Sequence, residues 1–84
     1  MSWLDKPTKA QIAALAHMMQ WELTTAELHD AMKWLENNAN RRQVSDELGR
    51  IKALKASHKL DRNACFNSTV WTDYFNANKV ERAF

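Results

Sequence analysis

Three times in this chain a residue suited to start a helix is followed, three positions later, by one that completes the start. Thr8 precedes Gln11, Thr24 precedes Glu27, and Asn40 precedes Gln43. In such a start the first side chain accepts from the backbone amide three residues on, and the Gln or Glu reaches back to the first residue's own amide. Apolar residues at helical spacing follow each one: Ile12, Leu15, Ala16 and Met19; then Leu28, Ala31, Met32 and Leu35; then Val44, Leu48 and Ile51, with Leu54 flanking. That spacing places each set on one helical face. Three units 16 residues apart are shorter than the common helical repeats, so the reading is three similar amphipathic helices and not a solenoid.

One glycine and one proline in 84 residues argue against an all-β chain, which needs turn residues every few positions. The expected fold is all-α, a compact single-domain bundle of about four short helices spanning residues 1–84. Residues 1–7 form an N-terminal arm, whose Trp3 and Leu4 are expected to fold back onto a groove, and 78–84 form a C-terminal tail. The first helix carries further apolar residues in Ala13, Ala14, Met18, Trp21 and Leu23, which predicts a central position. A last helix is expected over about 68–77, with Val70, Trp71, Tyr74 and Phe75 closing the core against the first two helices. Between them, residues 60–67 read as a loop.

Gly49 is the only glycine and falls inside the third pattern, where it costs about 1 kcal/mol relative to Ala. Two readings stand side by side. It permits close packing inside one continuous helix from Arg41 to about Ser57, or it ends one helix in a left-handed cap and another begins near Ile51.

Charge is divided unevenly. Residues 41–62 hold Arg41, Arg42, Arg50, Lys52, Lys55, Lys59 and Arg62 against Asp46, Glu47 and Asp61, a net of +4, whereas residues 1–40 carry −2. Polarity of this kind bears on partners more than on fold. Lys52, Lys55, Lys59 and Arg62 would share one stripe on a continuous helix, and a row of such donors suits phosphates. The same stripe is equally what a solvated helix face looks like.

The run Gln43-Val44-Ser45-Asp46-Glu47-Leu48-Gly49 resembles the first helix and turn of the helix-turn-helix family. The likeness covers about 20 residues. It implies that Arg50, Lys52 and Lys55 face DNA from the following helix. The chain departs from the family's pattern at Arg50, where an apolar residue is usual after the glycine, and at Lys55; a one-residue slip puts Ile51 and Ala56 in those roles. On this reading the chain is a small regulatory nucleic-acid-binding protein. Arg41 and Arg42 hold phosphates, Arg50, Lys52 and Lys55 lie nearest the groove, and Lys59 and Arg62 flank.

The alternative is a protein-interaction module, an adaptor or inhibitor of a larger protein. Trp3, Trp21, Trp34 and Trp71 exceed what a thin core easily hides, and exposed tryptophans are typical interface anchors. The acidic first half could then face a basic partner, and a homodimer would use the same surplus apolar area.

Other classes find little support. His17, His29, His58 and Cys65 lack zinc-site spacing, and no cofactor is expected. Glu27 and Asp30 read as solvated, and no nucleophile–base framing or phosphate loop is present, so the chain is not read as an enzyme. His17 reads as a partly buried residue at the core's edge. Cys65 beside Phe66 reads as a small buried hydrophobe. An unpaired cysteine, with no leader or spanning segment, suggests the cytoplasm.

Overall fold

The computed structural model describes residues 3–78. Five helices follow in order: α1 (Lys9–Met19), α2 (Thr25–Asn38), α3 (Arg41–Ala56), α4 (Arg62–Cys65) and α5 (Thr69–Asn78). Among the described residues there is no strand, and the domain is all-α. The expected tail, 78–84, lies outside the described residues apart from Asn78.

All three paired starts form. Thr8 and Gln11, Thr24 and Glu27, and Asn40 and Gln43 each exchange both capping hydrogen bonds. The apolar faces they introduce supply the fully buried Leu15, Met19, Ala31, Leu35, Val44 and Ile51. Leu28 and Leu48 are only half-buried, and Ala13 and Ala14 are exposed, so the face of α1 is narrower than its composition suggests. His17 is also exposed, and its ring shares a hydrogen bond with Gln20.

α1 packs chiefly on α3, and the two run parallel. Near their starts Gln11 Nε2 donates to the Arg41 carbonyl; at their far ends Met18, Trp21 and Glu22 meet Lys55, His58 and Leu60. α2 makes the return between them. α5 covers the remaining side with an aromatic cluster in which Trp71 meets Phe66 and Tyr74 edge-on, and Trp34 of α2 meets Tyr74 in the same way.

The stretch expected as a loop, 60–67, contains α4. Asp61 caps it, its side chain accepting from the Ala64 amide at 2.7 Å. Four residues are too short a run for periodicity to reveal.

Gly49 breaks nothing: α3 continues through it, with no positive φ. The close-packing reading also falls, because Gly49 is exposed and an added Cβ would meet nothing within 4 Å. There is accordingly no turn at Gly49, and the helix-turn-helix element expected there does not form. Gly49→Ala is expected to stabilise the protein by about 1 kcal/mol by removing backbone freedom from the unfolded chain. A raised urea midpoint at unchanged slope would show it.

The residue with φ of 58° is His58, just past the end of α3. There the Lys59 amide donates to the Leu54 carbonyl and the His58 amide to that of Lys55. These are the two bonds of a Schellman ending, whose left-handed position glycine usually takes. The chain therefore has its glycine inside the helix and a histidine where glycine would be easiest.

Candidate interaction cleft

The start of α3 is closed to a ligand. The Arg41 amide donates to the Asp5 carbonyl at 2.9 Å and the Arg42 amide to that of Trp3 at 3.1 Å. The Gln43 amide donates to the Asn40 side chain, and the Asn40 amide to the Gln43 side chain. All four amides that a helix leaves unpaired at its start are thus occupied, and the phosphate seat such a start can offer is filled by the chain's own arm. Pro7 is buried beneath it, and Arg41 Nε donates to the Lys6 carbonyl. The arm folds back as expected, but through its backbone: Trp3 and Leu4 remain 59% and 79% exposed.

Two more arginines of the basic segment are used internally. Arg50 lies 14 and 15 residues from the carbonyls of Ala64 and Cys65 and donates to both, at 2.5 and 2.6 Å. The same guanidinium grips Glu47 with two bonds of 3.0 and 2.7 Å. Glu47 is 5% exposed and also accepts from the indole nitrogen of Trp71 at 2.7 Å. This network ties α3 to the end of α4 and to the centre of α5, so Arg50 is not presented toward a groove. Arg62 belongs to α4 and not to the α3 stripe; its guanidinium pairs with Glu27 at the start of α2.

The Arg62 contact also corrects the expectation that Glu27 is solvated. The Arg62 guanidinium, and next the Thr24 amide, hold the Glu27 carboxyl below its ordinary value of 4.5. A lowered folded pKa adds stability above the unfolded value, and that contribution is lost as pH falls through the folded one. Acid unfolding of Arg62→Met is therefore expected to lose part of the native protein's steepness below about pH 4.5. Unchanged acid curves would speak against the contact.

Arg42, Lys52, Lys55 and Lys59 remain exposed, their side chains unpaired among the described residues. The tryptophans divide too. Trp71 is fully buried and Trp34 half-buried against the aromatic cluster, which removes Trp71 from any docking surface. Trp21 is 76% exposed. Its place in the apolar set of the first helix does not hold, because α1 ends at Met19 and the turn that follows carries Trp21 outward while Leu23 is buried.

These residues converge at one place. Met18, Trp21 and Glu22 from the end of α1, and Lys55, His58 and Leu60 from the end of α3, line an open cleft of about 250 Å³. Its apolar part is an indole, a thioether and a leucine; its polar part is one ammonium, one imidazole and one carboxylate. Sequence reasoning singled out Trp21 and Lys55 separately, but had no signal that the ends of two parallel helices would bring them together.

Cys65 is fully buried outside this cleft, and burial, followed by the Glu22 carboxylate, pushes its thiol up to about 11. A thiol so placed is inert at neutral pH. Among the described residues no group of three or more His, Cys, Asp or Glu could hold a metal, and no helix is long and apolar enough to cross a membrane. The chain matches no known protein family, no curated protein and no solved structure in the comparisons made.

Proposed function

We propose that this chain is a protein-interaction module, an adaptor or inhibitor that docks on a larger protein through the cleft at the ends of α1 and α3. The observation that carries this reading is Trp21. In a domain that buries Trp71, Phe66, Tyr74 and Phe75, a large ring left open beside Met18 and Leu60 is surplus to folding. Buried at a contact, a tryptophan is among the residues that supply most binding energy. Trp3 and Leu4 add exposed apolar area near the other end of α3.

The nucleic-acid reading keeps Arg42, Lys52, Lys55 and Lys59 but is left without Arg41, Arg50 and Arg62, which are engaged inside the molecule. It is also left without an open helix start and without the helix-turn-helix turn. Two titrations weigh the readings: labelled duplex DNA and labelled single-stranded RNA, each at two salt concentrations. The interaction reading predicts no micromolar binding at low salt. Tight binding that falls steeply with salt would reveal phosphate contacts and overturn it.

A further inference from the structure

The cleft also specifies the chemistry of what enters it. Resting on the interaction reading above, we infer that its occupant is an acidic polypeptide segment that presents a bulky apolar side chain next to a carboxylate.

The apolar requirement follows from Met18, Trp21 and Leu60, which leave no hydrogen-bonding group of their own for an anchor except the indole N–H. The acidic requirement follows from the lysines. Lys55 lines the cleft, Lys52 lies one turn before it, and Lys59 follows His58; all three are exposed and unpaired among the described residues. Glu22 shares the cleft but makes no ion pair with Lys55, and the Asp61 carboxylate is engaged by the Ala64 amide. Lysines near the end of a helix often serve its unpaired carbonyls, yet here that work is done by others. Ser57 donates to the Ala53 and Leu54 carbonyls, His58 to that of Lys55, and Lys59, through its backbone, to that of Leu54. The three ammonium groups are left to face outward, where they complement a negative partner.

His58 is the second, independent observation. Its backbone is left-handed, which a non-glycine residue adopts at a cost, and its ring lines the cleft. Glycine would relieve the strain and remove the imidazole from the cleft wall. Histidine at this position keeps on the cleft wall a ring that the backbone bonds of the helix ending do not use.

The test is a random peptide library panned against the intact protein, with Trp21→Ala used for counter-selection. Trp21 and Lys55 are exposed, so W21A and K55E are expected to fold as the native protein does, which circular dichroism would verify. Enriched peptides are expected to be acidic with an aromatic or long aliphatic residue. W21A should weaken them at least about thirtyfold and K55E about tenfold, while H58G should weaken them several-fold and at the same time raise the unfolding midpoint. Peptides that need Trp21 but are not acidic, and are indifferent to K55E, would overturn this inference and leave the interaction reading standing. A failure to recover any W21A-sensitive peptide would overturn both, as would concentration-dependent dimerisation abolished by W21A, which would make a second copy the occupant. Salt-steep binding of single-stranded RNA lost in K55E would likewise overturn both.

Discussion

Arg50→Met is expected to lower folding stability by about 3–5 kcal/mol, the usual cost of breaking a buried pair from one side. A domain of this size has roughly 4–13 kcal/mol in all, so the variant should lie near the edge of folding at 37 °C. The cost has three sources on one side chain. Glu47, 5% exposed, loses both bonds to its counter-charge, and the carbonyls of Ala64 and Cys65 lose a donor each. α4, with only four residues, loses the group that holds its end against α3. Arg50→Lys should recover little, because an ammonium cannot reproduce a planar fork that meets four acceptors. Adding Glu47→Gln to Arg50→Met should restore part of the loss by removing the stranded charge. Urea unfolding of the four combinations would measure the coupling. A loss below about 1 kcal/mol for Arg50→Met would place the network at the surface in energetic terms and contradict the structure.

Trp71 carries the second large effect, and two substitutions separate its two roles. Trp71→Phe keeps a ring in the core but takes one of its two donors from the Glu47 oxygen, the indole N–H at 2.7 Å, and leaves Arg50 as the other; it should cost about 1–3 kcal/mol. Trp71→Ala also empties the space between Phe66, Tyr74 and Trp34, and should cost about 3–5 kcal/mol or more. Each kcal/mol corresponds to a shift of about 4–8 °C in Tm for a chain of this length, so thermal unfolding resolves the two easily. Equal losses for Phe and Ala would mean that the hydrogen bond, and not the ring's volume, is the main contribution.

What could be read from the sequence was local. Caps, helical spacing and the aromatic run of residues 70–75 depend on neighbours three or four positions away, and they located four of the five helices and the buried face of α5. What escaped was the set of partners that the fold brings from afar. Seven bases in residues 41–62 look like a surface when counted. Arg50 nonetheless answers to carbonyls 14 and 15 residues on, and Arg62 to a carboxylate 35 residues back. Gly49 suggested a turn or a close approach, but it sits on an exposed face, where its cost meets no compensating contact. Trp21 was misplaced for a simpler reason. The apolar spacing runs two residues past the end of α1, and the turn there reverses which side chains point inward. His58 gave no signal, because nothing in a sequence marks a histidine that will adopt a left-handed backbone.

The central claim is that binding is focused on the cleft around Trp21 and not on the basic segment as a whole. Its most direct test is the indole N–H region of a two-dimensional NMR spectrum, where each tryptophan gives its own signal, recorded as a panned peptide is added. The Trp21 signal is expected to move on saturation, together with the backbone amides of Met18, Lys55 and His58, while the signal of buried Trp71 stays in place. Shifts confined to Arg41, Arg42 and Lys52, with Trp21 unmoved, would contradict it.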